Sequence, residues 1–167
     1  MTRLNQIAGR VNIHMGWYGS CDEPCETFDL TKTIREWTQV GSDIFGDAIG
    51  DKLGYSVAIN STGNRIVVGS PYWGELVVGE EPFESTHRDF GLVRVYQESN
   101  GTWTQIEDDI VGDSANDNLG YSVAMNGDGL RIAVGGIGHD QEDADDSGLI
   151  RVYHQQNTGW EQLGGDI

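Results

Sequence analysis

The stretch Trp37–Ser70, WTQVGSDIFGDAIGDKLGYSVAINSTGNRIVVGS, recurs as Trp103–Gly136, WTQIEDDIVGDSANDNLGYSVAMNGDGLRIAVGG. The two segments align without a gap and are identical at 20 of 34 positions. An internal repeat builds a fold from copies of one supersecondary unit, and each copy buries apolar surface against its neighbour. This repeat therefore decides the architecture.

The similarity continues beyond the paired stretches. Gly91–Tyr96, GLVRVY, matches Gly148–Tyr153, GLIRVY, and Trp160–Ile167 opens a third copy. Gly9–His14 has the form of Gly91–Tyr96, which indicates the second half of an earlier unit. We predict one repeat domain over residues 1–167. Its parts are the end of a preceding unit with a long Cys-containing hairpin loop at 9–44, full units at 53–106 and 119–163, and the start of a further linker at 164–167.

Each full unit contains four strand-like runs. In the first unit they lie near Leu53–Ile59, Arg65–Gly69, Leu92–Gln97 and Thr102–Ile106. The turns Asn60–Gly63 and Asn126–Gly129 predict tight hairpins, because Asn begins such turns and Gly accepts positive φ. Consecutive apolar residues at Ile66–Val68 predict an inner strand buried on both faces. The fold class is all-β, with β-propeller-type blades of four antiparallel strands. Two complete blades and partial blades at each end form an open arc or a fragment of a larger propeller.

Aromatic residues recur at fixed registers of the repeat. Trp37, Trp103 and Trp160 share one register of the fourth run, and Tyr55 and Tyr121 share one register of the GYSVA run. We predict that the tryptophans are packing anchors under the neighbouring blade rather than ligand-stacking groups. For the tyrosines we predict packing in the core or between blades.

The runs Leu53–Ala58, LGYSVA, and Val68–Pro71, VGSP, resemble the two halves of the FG-GAP repeat of integrin α subunits. Leu119–Ala124 and Val134–Ile137 match more loosely. The resemblance covers nearly the whole chain and implies propeller blades in a cell-surface or adhesion protein. Integrin blades carry a Ca²⁺ loop, DxDxDG, between their first two strands. Here that connection is the short Asn-x-x-Gly turn, which excludes metal at that position.

The formal net charge is −17, and Lys32 and Lys52 are the only lysines. Nucleic acids and anionic membrane surfaces require clustered Lys and Arg, so neither is an expected partner. No apolar run is long enough to span a membrane, so no membrane insertion is expected. Residues Met1–Gly9 lack the apolar core of a signal peptide. We expect an extracellular or cell-surface location, with any targeting segment outside this chain.

The most acidic loop contains Asp143, Asp145 and Ser147 before Gly148, in the D-x-D-x-S-G order that opens calcium loops. The bidentate Glu of an EF-hand is absent, and Arg151 stands where integrin-type loops place an Asp. Ca²⁺ is the one cofactor that the sequence suggests. A solvated acidic surface is the competing interpretation, and both stay open.

Two acidic pairs repeat just before the GYSVA runs: Asp47 with Asp51, and Asp113 with Asp117. Two carboxylates four residues apart are able to share a cation. Asp also forms side-chain to backbone turns at such places, and recurrence with the repeat favours this structural role.

Cys21 and Cys25 lie in the sequence CDEPC inside the long N-terminal loop. We predict a local disulfide, which is typical of an oxidising compartment. A zinc site normally needs about four ligands, and no second Cys or His pair lies nearby. A redox pair is usually spaced by two residues rather than three.

Two sequons place glycosylation candidates at Asn60 and Asn100, both on predicted hairpin turns. The long loop Pro71–Phe90 displays Tyr72, Trp73 and Phe83, and it differs entirely from the loop at the same place in the second unit. These aromatics form either a ligand-contact patch or the internal packing of the loop.

No nucleophile elbow, phosphate-binding glycine loop or HExxH motif is present, so we expect no enzymatic activity. The leading hypothesis is a non-catalytic extracellular or cell-surface module for adhesion, which binds a protein or glycan through loops on a rigid scaffold. Alternatives are a structural subunit of a larger ring or filament, whose partners are further copies or segments of the same repeat protein, and an accessory domain of a longer enzyme.

Overall fold

The computed structural model describes residues 4–7, 10–13, 37–78, 85–140 and 146–167, and these form strands and no helix. No helix in this described part of the chain is long and apolar enough to cross a membrane. The chain divides into two compact units, Met1–Gln39 and Val40–Ile167. In the smaller unit β1 (Leu4–Ile7) and β2 (Arg10–Ile13) form an antiparallel hairpin.

The larger unit contains two main antiparallel sheets of four to five strands, one for each full repeat. The first has the order β3 (Ser56–Ile59), β4 (Arg65–Ser70), β7 (Leu92–Ser99) and β8 (Thr102–Gln105), and β9 (Ile110–Val111) also pairs with β7. The second has the order β10 (Ser122–Met125), β11 (Arg131–Gly136), β12 (Leu149–Gln156) and β13 (Gly159–Gln162). The all-β class with sheets of four to five antiparallel strands is thereby confirmed.

Equivalent residues pair in the same register in the two sheets. Ile66 lies opposite Tyr96 between β4 and β7, and Ile132 lies opposite Tyr153 between β11 and β12. The connections between these strands differ in length and sequence, so the common register follows from the repeated strands themselves. In the first repeat the connection contains a separate hairpin of β5 (Gly74–Val78) and β6 (Ser85–Asp89), which the sequence analysis did not predict.

The predicted Asn-x-x-Gly turns are present in both repeats. The amide of Gly63 donates to the carbonyl of Asn60 at 3.1 Å, and the amide of Gly129 donates to that of Asn126 at 3.1 Å. Both glycines have positive φ, of 74° and 75°. The Asn60 side-chain oxygen also accepts a bond from the amide of Arg65 at 3.1 Å. Each Asn thus closes its own hairpin.

One apolar core extends through both sheets. Its buried members come from the inner strands and from the segments that join the repeats: Val67, Val93, Val95, Ile110, Leu119, Ile132, Val134, Leu149 and Tyr153. Val67 and Val68, on opposite faces of β4, are both buried, as the apolar run predicted. Burial of this surface is the main driving force for holding the two repeats together.

The repeated aromatics do not all pack as predicted. Trp103 is partly buried, and its indole N–H donates to the carbonyl of Val40 at 2.9 Å. Trp160 packs against the core. Trp37, in contrast, is exposed and outside any strand, so the strand expected there is wrong. Tyr55 is 45% exposed and lies outside the core, but its ring packs against Tyr121 of the other repeat with centroids 4.9 Å apart, which is the second of the two predicted packing arrangements.

The two sheets meet through a close backbone contact. The hydroxyl of Ser56 donates to the carbonyl of Gly120 at 2.7 Å, and the amide of Leu119 donates to the carbonyl of Phe90 at 3.1 Å. A Cβ on Gly69 would lie 2.1 Å from the Gly120 oxygen, far inside van der Waals contact. The sheets therefore approach this closely only because residue 69 has no side chain.

We expect Gly69→Ala to lower the free energy of unfolding by about 1–3 kcal/mol, because the new methyl group must displace the backbone at Gly120. Urea denaturation followed by circular dichroism measures the loss. Gly135→Ala is the matched control in the second repeat, since the nearest atom to its Cβ is the movable hydroxyl of Ser122. Equal destabilisation by both substitutions would contradict the assigned contact.

Candidate functional site

Three tyrosines come together on the surface. The ring centroids of Tyr55 and Tyr121 lie 4.9 Å apart, and those of Tyr55 and Tyr72 lie 5.8 Å apart with the rings nearly perpendicular. The ammonium nitrogen of Lys52 stands 4.0 Å from the centroid of the Tyr72 ring, in cation–π geometry. We call these four residues the tyrosine patch.

Backbone turns hold the rings of Tyr55 and Tyr121 in place. The amide of Tyr55 donates to the carbonyl of Lys52, and that of Tyr121 donates to the carbonyl of Asn118, both at 3.1 Å. The intervening Gly54 has a φ of 90°, which side chains rarely adopt, so the turn depends on glycine. The same turn in both repeats explains why tyrosines from different sheets stand side by side.

The hydroxyl of Tyr55 stays protonated at neutral pH. The hydrogen bond with Tyr121, aided by desolvation, raises the pKa of Tyr55 to about 12. Its hydroxyl is therefore both a donor and an acceptor, and the ring faces are apolar. With the ammonium group of Lys52, the patch offers stacking surface and hydrogen-bond donors together.

Trp73 follows Tyr72 and was predicted to share its role. The structure gives the two residues different surroundings. The backbone carbonyl of Trp73 accepts a bond from the amide of Gly91 at 2.9 Å, whereas the ring of Tyr72 contacts Lys52 and Tyr55. Trp73 is thus tied to the scaffold, whereas Tyr72 belongs to the exposed patch. Phe83, the third aromatic of that prediction, lies outside the described residues.

A second cluster consists of two arginines that are nearly or fully buried, each held by two aspartates. Arg94 binds Asp47 at 2.6 and 3.0 Å and binds Asp109 through two bonds of 2.8 Å. These aspartates precede and follow the four strands of the first repeat. The arginine therefore joins the entry and exit segments of its sheet, an arrangement that we call an arginine clasp.

The second repeat has the same arginine clasp. Arg151 binds Asp166 at 2.7 and 2.9 Å and Asp113 at 2.5 Å. Sequence reasoning missed both clasps, although their signal was visible in the arginine that recurs in GLVRVY and GLIRVY.

The second aspartate of each repeated acidic pair forms a turn. A side-chain oxygen of Asp51 accepts a bond from the amide of Ala48 at 2.7 Å, and one of Asp117 accepts a bond from the amide of Ser114 at 2.9 Å. The other oxygen of Asp117 contacts the ring nitrogen of His139 at 3.0 Å. The repeated pairs are therefore built into turns and clasps.

The arginines lower the pKa of the clasp carboxyls. Hydrogen bonds from Arg94 lower the pKa of Asp47 and of Asp109, and hydrogen bonds from Arg151 lower that of Asp166 to about 2. A carboxyl whose pKa is lowered by folding stabilises the protein above its ordinary pKa and loses that contribution as the pH falls. The clasps therefore stabilise the folded protein at neutral pH, and this contribution is lost in acid.

We expect Arg151→Gln to lower the free energy of unfolding at neutral pH by about 2 kcal/mol through the loss of charged hydrogen bonds. In the wild type, the Asp166 contribution is lost as the pH falls from 3.8 towards about 2, and the variant should show a flatter decline there. Denaturant titrations at several pH values measure both effects. The control is Asp108→Asn at an exposed acidic residue, and a wild-type pH profile in Arg151→Gln would contradict the clasp.

Most of the predicted calcium and disulfide residues lie outside the described part of the chain: Asp143, Asp145, Cys21 and Cys25. Ser147 is described, and its hydroxyl donates to the carbonyl of His139 at 3.0 Å. Among the residues that the structure describes, no group of three His, Cys, Asp or Glu side chains could hold a metal ion. The calcium site and the disulfide stay predictions.

The two sequon asparagines differ in environment. Asn60 is buried, and its amide nitrogen donates to Thr62 at 3.0 Å and to Asn64 at 2.9 Å. A glycan on Asn60 would have to break these bonds. Asn100 is exposed at the β7–β8 turn, where a glycan would project into solvent.

Comparison with models of known protein families gave no match, and comparison with curated proteins gave none. The FG-GAP resemblance thus rests on the sequence motifs alone. The tyrosine patch and the scaffold that presents it are therefore the features from which a function can be inferred.

Proposed function

We propose that this protein is a non-catalytic binding module that acts in adhesion at the cell surface or outside the cell, with the repeats as propeller-type blades. The tyrosine patch carries the proposal, because it groups the exposed ring of Tyr55, the half-buried rings of Tyr72 and Tyr121 and an ammonium group on one surface. The blade arrangement is supported by the four-stranded meander that both repeats form in the same register.

A glycan is the partner that suits the patch. An aromatic face packs against the apolar C–H face of a sugar ring, and the tyrosine hydroxyls and Lys52 supply hydrogen bonds to sugar hydroxyls. The net charge of −17 disfavours polyanionic glycans. A neutral oligosaccharide is therefore the proposed ligand class. Aromatic clusters also serve protein interfaces, which makes a protein partner the alternative.

The scaffold holds the rings of the patch in place before a ligand binds. Tyr55 and Tyr121 follow tight turns that begin at Lys52 and Asn118, and the sheets behind them share one core. Rings held in this way lose little conformational entropy when a ligand binds. The patch is thus preorganised for a flat ligand surface.

We expect Tyr72→Ala to weaken binding of a neutral oligosaccharide about tenfold or more, because it removes a stacking face and the partner of Lys52. The measurement is a titration with soluble β-1,4-linked glucose and N-acetylglucosamine hexasaccharides, followed by NMR shifts of the tyrosine rings. Phe45→Ala, an exposed aromatic outside the patch, is the matched control.

Absence of ring shifts with every neutral oligosaccharide would reject the glycan. Equal binding by Tyr72→Ala and the wild type would show that the tyrosine patch is not the binding site. Shifts of the Tyr55 and Tyr121 rings that weaken in Tyr72→Ala and are kept in Phe45→Ala support the assignment.

The structural-subunit alternative has its own supporting observation. The second sheet carries a groove lined by Ser122, Gly135 and Leu149, which has a form that a further segment of the same repeat protein would fit. This feature does not depend on a ligand of the tyrosine patch.

A further inference from the structure

The rings of Tyr55 and Tyr121 bring together two phenols from different repeats. Their centroids lie 4.9 Å apart, near the short end of the range of about 4.5–7 Å at which aromatic pairs pack. Tyr55 directly precedes β3 in the first sheet, and Tyr121 directly precedes β10 in the second. A bond between the two rings would therefore join the two sheets covalently.

The backbone beside the two rings is held in place. The hydroxyl of Ser56 donates to the carbonyl of Gly120 at 2.7 Å, so residues next to the two tyrosines are bonded to each other. The amide of Gly54 donates to the carbonyl of Gly69 at 3.1 Å. The amide of Gly120 donates to the carbonyl of Gly135 at 3.1 Å in the same way. The fold thus keeps the two phenols in contact, and groups held in this way react far more often than groups on a free chain.

The tilt of the rings distinguishes this pair from the neighbouring one. The planes of Tyr55 and Tyr121 are inclined by 46°, whereas Tyr55 and Tyr72 stand at 76° with their centroids 5.8 Å apart. Two phenol rings joined by a carbon–carbon bond adopt a twisted arrangement, because the atoms beside the bond clash when the rings are coplanar. Tyr55 and Tyr121 are therefore both closer together and nearer to the geometry of joined rings.

The hydroxyl ends of the two rings lie together. Interaction with the hydroxyl of Tyr121 is the main cause of the raised pKa of Tyr55. In an oxidised phenol the unpaired electron is shared between the oxygen and the ring carbons ortho and para to it. The para carbon of tyrosine carries the rest of the side chain, so the ortho carbons, which flank the hydroxyl, are the positions free to form a bond. Contact at the hydroxyl ends brings these carbons of Tyr55 and Tyr121 near each other.

Exposure directs an oxidant to this pair. Tyr55 is 45% exposed, whereas the buried tyrosines Tyr96 and Tyr153 are each 7% exposed. Only one ring of the pair has to meet the oxidant, because an electron passes readily between phenols in contact. Among the tyrosines that the structure describes, those of the patch are thus oxidised before those of the core.

We propose that Tyr55 and Tyr121 form an oxidative cross-linking site, at which a dityrosine bond joins the two repeats. The oxidant class is hydrogen peroxide acting through a haem peroxidase, which removes one electron at a time from a phenol. The cross-link needs no ligand of the tyrosine patch, so it stands apart from the proposed function. It gives an adhesion module a covalent tie across the contact that holds its repeats together.

The reaction balances with peroxide as the only co-reactant. Each phenol gives up one electron and its hydroxyl proton, which leaves two tyrosyl radicals. One ortho carbon of Tyr55 forms a bond to one ortho carbon of Tyr121. Each of these carbons then loses its hydrogen to solvent while the oxygen beside it takes up a proton, and the rings regain aromaticity. The peroxide accepts the two electrons and two protons and becomes two molecules of water.

Treatment of dilute folded protein with hydrogen peroxide and a haem peroxidase tests the proposal. We expect dityrosine fluorescence in protein that still migrates as a single chain under denaturing conditions, with a mass lower by two hydrogen atoms. Mass spectrometry of a digest should join the peptide that contains Tyr55 to the one that contains Tyr121. The urea midpoint of the cross-linked protein should be higher, because a cross-link restricts the unfolded chain.

Single substitutions assign the bond to its two rings. Tyr121→Phe and Tyr55→Phe keep the packed rings and remove one phenol each. Both variants should lose the cross-link within the chain while their circular dichroism stays that of the wild type. Tyr72→Phe is the matched control, because it removes the third phenol of the patch and should keep the cross-link.

Folded wild-type protein that forms no dityrosine within the chain would overturn the proposal. So would a product that joins Tyr55 to Tyr72, or cross-linking only between separate chains. An undiminished yield within the chain in Tyr121→Phe would overturn it as well.

Discussion

The backbone contact between Gly69 and Gly120 determines how the two repeats meet. Because neither residue has a Cβ, the Gly120 carbonyl reaches the strand that carries Gly69 and accepts a bond from Ser56. That approach brings Leu119 into the shared core and sets Tyr121 against Tyr55. Core, sheet contact and tyrosine patch therefore depend on the same short separation.

The arginine clasps hold the connection between the repeats at both ends. Asp109 binds Arg94 of the first sheet, and Asp113, four residues later, binds Arg151 of the second. The arginines are nearly buried, so their bonds to carboxylates are the charge-assisted kind that fixes geometry. Some of the many carboxylates of the chain thus hold the fold together, and the others give the surface its negative charge.

The sequence repeat was sufficient to predict the four strands of each full repeat and the Asn-x-x-Gly turns, because these follow from local periodicity and turn chemistry, but it did not predict the β5–β6 hairpin, which lies in a connection that does not repeat. It was insufficient for the clasps, since Arg94 and its aspartates are 15 and 47 residues apart and only the fold brings them together. The exposure of Tyr55 escaped prediction for a related reason. A repeated register does not tell which copy has a neighbour to cover it.

Hydrogen exchange at Leu119 and Leu53 tests the central claim that backbone docking joins the repeats. The amide of Leu119 donates to Phe90 across the sheet contact, whereas no bond from Leu53 to another sheet occurs among the described residues. In dilute monomeric protein, we predict that the Leu119 amide exchanges only through global unfolding and that the Leu53 amide exchanges many times faster. Equally fast exchange at the two leucines would contradict the account.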